Sequence, residues 1–212
     1  MDKGNGLSAM QMDALREAGN IGAAHAATSM SSLMNKKIDM EVPFVDIVPF
    51  ADILDWMGGP DSPVASTLIH ISGDVCGKVY FMLAVDEAET FVKYASDEQH
   101  VQLIDQDETN LFGASVFKEI GNILTGSYMS AISDFTGLHI QPSVPQLQID
   151  MAGAILSDAV IDVSRSTDYV LIVDTVIRYS GQKNPVNGQF LFLPDPESLA
   201  TLFRALGMAG NE

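Results

Sequence analysis

Two periods of apolar and polar positions run along this chain. Over residues 8–34, and again over 105–136, apolar side chains recur every three or four positions, the signature of a helix with one buried face. In the second stretch Phe117, Ile120, Leu124, Tyr128, Ala131 and Phe135 form the stripe; in the first Leu15, Ala18, Gly22, Ala26, Ser29 and Leu33 do. The first helix is expected to start near Ser8, where Ser8 and Gln11 make a capping box, and to run to Leu33 or Met34. The second is expected to start near Asp105 or Asp107 and to stop before Gly137, a residue suited to the left-handed turn that closes a helix.

Elsewhere the period drops to two, or the run is continuously apolar and β-branched. Residues 64–71, 78–85, 169–177 and 189–193 read as strands. Gly73 and Gly77 fall between the first two, Gly181 and Gly188 between the last two, so each pair is expected to be a hairpin in an antiparallel sheet. A helix start follows each hairpin. Asp86 and Glu89 form a capping-box variant, and Asp195 precedes Pro196 as an N-cap precedes an N1 proline.

The order of elements repeats. Asp13, Glu17, Gly19, Asn20 and Pro43 have counterparts 102 positions later in Ser115, Glu119, Gly121, Asn122 and Pro145. Val42 and Pro43, like Val144 and Pro145, are expected to close a strand after the helix. Gly77 answers Gly188 at a spacing of 111, which places an insertion in the second half around residues 158–168. The reading is a duplicated α/β domain of the α+β type with pseudo-two-fold symmetry. Its halves cover about residues 8–100 and 105–208 of the 212-residue chain and share one sheet and core.

Composition narrows the function classes. Apolar residues make up 47%, enough for a sizeable core. The longest apolar run, residues 79–85, is far too short to span a membrane, and the N-terminus has no basic start with an apolar stretch behind it. Cys76 is the only cysteine, so neither an internal disulfide nor a cysteine-based zinc site is possible. A cytoplasmic location is expected. The formal net charge is -17, with 11 basic residues against 28 acidic, which argues against a nucleic-acid partner. The acidity fits either solubility or steering toward a basic protein partner. His25, His70, His100 and His139 are dispersed and read as surface or core residues. Trp56 fits an interface anchor, and a core or loop-cover role at least as well.

The candidate chemistry lies on the two long helices. Asp13, Glu17 and Asn20 project at about 0°, 40° and 340° around the helix axis, opposite the apolar stripe. Ser115, Glu119 and Asn122 do the same. Glu and Asn three positions apart are neighbours on one surface, separated by about 4.5 Å along the axis. Each Asn follows a mid-helix glycine, which costs about 1 kcal/mol relative to alanine and is expected where another group approaches closely.

This pattern resembles the CheC, CheX and FliY family of chemotaxis phosphatases. Its signature is Asp or Ser, three residues, Glu, two residues, Asn, twenty-two residues and Pro. Asp13, Glu17, Asn20 and Pro43 match it, as do Ser115, Glu119, Asn122 and Pro145. Two copies in one chain of this length resemble the CheC branch; CheX members carry one copy and dimerise, and FliY members add a C-terminal switch domain. The resemblance implies two motif helices side by side on an antiparallel sheet and hydrolysis of the aspartyl phosphate of phosphorylated CheY. It implies Asn20 or Asn122 orienting the attacking water and Glu17 or Glu119 pairing with a lysine of the regulator. No cofactor of the chain's own is expected, the Mg²⁺ being carried by the regulator. Asp13 and Ser115 either bond to neighbouring motif residues or line the docking surface.

Two other readings stand beside this one. A non-catalytic adaptor would keep the fold and bind the receptor deamidase CheD, as CheC-type proteins often do; the small-residue stretch 151–156 would permit close approach, or is simply a packed strand or short helix. A flagellar-switch component would associate with the motor. A duplicated chain supplies internally what a one-motif dimer builds from two, so a monomer is expected.

Overall fold

The computed structural model describes residues 9–103, 108–163, 169–180 and 184–206. In chain order these hold helix α1 (Ala9–Met34), strand β1 (Ile38–Pro49), a 3₁₀ turn (Phe50–Asp52) leading into the short α2 (Ile53–Trp56), strands β2 (Pro63–Gly73) and β3 (Gly77–Ala84), and α3 (Val85–Ser96). The second half follows with α4 (Glu108–Thr136), β4 (Ile140–Pro142), β5 (Gln146–Met151), α5 (Ala152–Val163), β6 (Tyr169–Tyr179), β7 (Val186–Pro194) and α6 (Pro196–Ala205). The fold is α+β, as the periodicities predict. The expected capping box at Ser8 and the starts at Asp105 or Asp107 lie outside the described residues.

One antiparallel sheet takes strands from both halves in the order β1-β6-β7-β3-β2-β4, with β5 also on β2. The two hairpins, β2–β3 and β6–β7, meet through β3 and β7 at the centre, where Tyr80 faces Leu191. The first strand of each half crosses over: β1 pairs β6, and β4 and β5 pair β2. This exchange generates the pseudo-two-fold and makes the halves interdependent.

Strand alternation gives the sheet two apolar faces. Val45, Ile69, Phe81, Val173 and Phe190 belong to the core under α1, α3, α4 and α6. Val64, Tyr80, Met82, Ile172 and Leu191 belong to a second core under α2 and α5. Burying a leucine- or phenylalanine-sized side chain contributes about 1.5–3 kcal/mol, so both faces stabilise the central strands. The continuously apolar run 79–85 follows from this double burial.

Several expectations need correction. Pro43 does not close a strand; it lies inside β1, where the pairing shifts from Glu41↔Val176 to Phe44↔Asp174 and one extra residue is accommodated. A proline lacks the N–H that a sheet ladder needs, and a bulge is where that lack is harmless. Pro145 occupies the matching irregularity between β4 and β5, where the partner strand runs from Ile71↔Pro142 to Leu68↔Gln146. Gly188 is no connector but part of β7, opposite Thr175, where a Cβ would meet the Phe81 ring at 2.7 Å. Asp86 and Glu89 do not box the start of α3, which begins at Val85 behind Ala84 without a side-chain cap; the Glu89 carboxylate instead accepts the Leu103 N–H at 2.9 Å. The extra residues of the second half fall in α5 and the segment after it, where the first half has the 3₁₀ turn and the short α2. Ala152, Ile155 and Leu156 are buried, so the small-residue stretch is packed helix. Trp56 stacks on Phe44 of β1 at 5.0 Å and remains 41% exposed.

Candidate functional site

The motif helices α1 and α4 lie side by side on the first sheet face. Their ends follow local chemistry. Gly137, at φ 72°, closes α4 and donates its N–H to Ser133 at 2.8 Å; Asn35 takes the left-handed position after α1 at φ 49°. The Lys36 ammonium then bonds the Tyr94 carbonyl and Asp97 at the end of α3 and covers the Tyr94 ring, anchoring that turn.

The inward faces are largely as the stripes predict. Leu15, Ala18, Gly22 and Ala26 of α1 are buried, as are Phe117, Ile120, Leu124, Tyr128 and Ala131 of α4. The stripes fail at their C-terminal ends: Ser29 is exposed, Leu33 is 60% exposed and Phe135 46%. From Ala26 the buried line passes to Met30, because a step of four residues rotates it by about 40° and carries it away from the Ser29–Leu33 row.

Each mid-helix glycine is where its helix touches the sheet. A Cβ on Gly121 would lie 2.2 Å from Thr67 Oγ1 in β2. On Gly19 it would meet Val42 at 3.4 Å, Val45 at 3.5 Å and Val173 at 3.9 Å, in β1 and β6. The approach that the glycines permit is therefore by the protein's own strands. Pro43 follows Val42, so its bulge shapes the strand segment on which Gly19 rests. The next residue along each helix points about 100° away from its glycine. Asn20 and Asn122 are both exposed, as are Glu17 and Glu119. Among the described residues, none of these four side chains has a hydrogen bond or ion pair, so their polar atoms face outward uncommitted.

The first motif residues behave differently. The Ser115 hydroxyl donates to the Leu111 carbonyl of its own helix at 2.8 Å, and Asp13 lies 4.0 Å from Arg16 one turn on. Neither bonds the Glu or Asn of its motif. The arrangement thus comprises two Glu–Asn pairs on one layer. Their glycines stand over β1 and β2, four strand spacings apart, which is about 19 Å.

Between the helices the contact is asymmetric. A Cβ on Gly22 would lie 2.5 Å from Tyr128 Cδ1 and 3.0 Å from Tyr128 Cα. The Tyr128 hydroxyl reaches Thr175 Oγ1 of β6 at 3.0 Å, and burial holds the phenol above its ordinary pKa. Burial raises the Glu87 and Asp174 carboxyls despite bonds from Asn187 and Gln189 respectively.

The motif pattern left out two residues beside the second pair. Leu111 is 73% exposed and Phe112 48%. The available signal was their position: both precede Ser115 by about one turn on the motif side of the helix.

Comparison with known proteins places these observations in a family. The sequence profile of the CheC-like family matches residues 10–47 and 112–149, the two motif helices and the strands after them. The chain is 39% identical over 203 residues to the CheY-P phosphatase CheC of Bacillus subtilis, spanning 96% of this chain and 97% of that one. Among solved structures, Thermotoga maritima FliY superposes with a TM-score of 0.74 at 17% identity, covering 95% of this chain and 98% of its own. A chain of the FliM–SpeE complex from H. pylori gives 0.69 at 12%, covering 96% and 100%. At such identities these two likenesses establish the fold. No helix among the described residues is long and apolar enough to cross a membrane.

Proposed function

The chain belongs to the CheC-like family and is a phosphatase, and we propose that it hydrolyses the aspartyl phosphate of a CheY-type response regulator at two sites, Glu17–Asn20 and Glu119–Asn122. The observation that carries the residue assignment is the outward, uncommitted placement of both pairs on buried, well-packed helices. Side chains held on rigid elements but bonded to nothing nearby are free to engage a second protein.

An acyl phosphate has a good leaving group, so positioning dominates its hydrolysis. The amide of Asn20 or Asn122 accepts a hydrogen bond from a water through its carbonyl oxygen and donates an N–H to a phosphoryl oxygen. The water oxygen attacks phosphorus in line, the bond from phosphorus to the carboxyl oxygen breaks, and the aspartate leaves as carboxylate. Both protons of the water depart with the inorganic phosphate. Glu17 or Glu119 pairs with a cation beside the phosphorylated aspartate and fixes the register of docking; this pair strengthens as the interface excludes water.

The test is the decay of phosphorylated CheY with the wild-type chain, Asn20→Ala, Asn122→Ala and the double variant. Acceleration by wild type that falls with each single variant and vanishes in the double is expected. An equally fast double variant would overturn the residue assignment; no acceleration by wild type would move the weight to a non-catalytic adaptor.

A further inference from the structure

We propose that Leu111 and Phe112 are the apolar anchor by which the second site holds its phosphorylated regulator, an inference that rests on the reading above. With Leu111 at 0° around the α4 axis, Phe112 falls at about 100°, Ser115 at 40°, Glu119 at 80° and Asn122 at 20°. All five therefore occupy one arc of about 100°. The opposite side of α4 is committed to the sheet through Phe117, Ile120 and Leu124. Two large apolar side chains thus stand in solvent on the face that carries Glu119 and Asn122.

Their distance suits one partner. The midpoint of Leu111 and Phe112 lies about 14 Å along the axis from that of Glu119 and Asn122. A specific protein interface covers about 800 Å² per partner, a disc of about 16 Å radius. A regulator centred on the Glu–Asn pair therefore covers both residues. Exposed leucine and phenylalanine next to uncommitted polar groups reproduce the apolar-plus-polar composition of protein interfaces.

The first motif helix carries other residue types at the matching positions. The positions matching Leu111 and Phe112 at the repeat spacing are Ala9 and Met10. Alanine offers little area, and methionine is unbranched and flexible. In sequence, therefore, the leucine–phenylalanine pair belongs to the second motif helix.

The experiment measures steady-state hydrolysis of phosphorylated CheY on an Asn20→Ala background, where the second site alone works. Leu111→Ser with Phe112→Ser is expected to raise KM about tenfold and to leave kcat within about twofold, the pattern of lost binding rather than lost chemistry. Leu111→Met with Phe112→Leu is expected to restore most of the affinity. Met151→Ser, which removes another exposed apolar side chain at the end of β5, is the control and leaves KM where it was. An unchanged melting transition excludes a folding defect. A KM within twofold of the background, a fall in kcat at constant KM, or an equal effect of Met151→Ser would each overturn the anchor while leaving the phosphatase reading intact. Failure of the unsubstituted chain to hydrolyse the phosphate would instead overturn the reading beneath it.

Discussion

Gly121 of α4 rests on Thr67 of β2 so closely that a Cβ would stand 2.2 Å from the threonine hydroxyl oxygen and 2.6 Å from its methyl carbon. Gly19, its counterpart, would meet nothing nearer than 3.4 Å. The same substitution should therefore have opposite signs at the two positions. Gly121→Ala is expected to destabilise by about 1–3 kcal/mol through overpacking. Gly19→Ala is expected to be neutral or to gain up to about 1 kcal/mol from helix propensity. Urea unfolding midpoints at constant m-value decide between them.

Tyr128 and Thr175 are buried partners. Tyr128→Phe strands the threonine hydroxyl away from water and is expected to cost about 1–3 kcal/mol. Adding Thr175→Val removes the stranded group and should recover part of that loss, which a double-mutant cycle in urea would quantify. Because burial raises the phenol, its ionisation is expected only when the fold opens; an ultraviolet titration in which phenolate absorbance tracks unfolding checks this.

Glu87 and Asp174 set a pH dependence. Burial raises both carboxyls in the folded state, so folding favours their protonated forms. Their contribution to stability is fully present below the ordinary carboxyl range and is lost as pH rises through the raised folded values. Glu87→Gln with Asp174→Asn is expected to remove that slope and to make the protein more stable near neutrality. Melting temperatures of both proteins from pH 4 to 8 provide the comparison; parallel curves would contradict it.

Ser115 and Asp13 are expected to matter far less than their neighbours. The Ser115 hydroxyl is bound within its own helix, and the Asp13–Arg16 pair is exposed and weak. Ser115→Ala and Asp13→Ala should each change hydrolysis of phosphorylated CheY by no more than about threefold, whereas Asn20→Ala with Asn122→Ala is expected to remove it. A loss in either single variant comparable to that of the double would show that these residues contact the substrate.

Much of this architecture is legible in the sequence because it depends on period. The outward placement of Glu17, Asn20, Glu119 and Asn122 follows from a 3.6-residue repeat with a buried opposite face. The two hairpins follow from paired runs of apolar and β-branched residues. What pattern does not carry is pairing between distant segments. Nothing local to β1 says that it lies beside β6 rather than β2, so Pro43 looks like a strand end until the partner strand shows that it is a bulge. Leu33 and Phe135 look like core because they extend a stripe, yet the helix turns its burial line away before reaching them. Glu89 looks like a cap because of its spacing from Asp86, yet a backbone N–H fourteen residues on takes it. Leu111 and Phe112 escape notice for the converse reason: apolar residues early in a helix look like core until the fold shows which face the helix buries.

The contact between Gly22 and Tyr128 makes the two halves complementary rather than equivalent. At the repeat spacing Gly22 answers Leu124, and Ala26 answers Tyr128. Two copies of the second helix would drive a leucine into the space that the tyrosine ring fills. Two copies of the first would set glycine against alanine and leave that space empty. Neither half could recreate this interface with a twin of itself. The segments fit as lock and key, and joining them in one polypeptide ensures that every lock is made with its key.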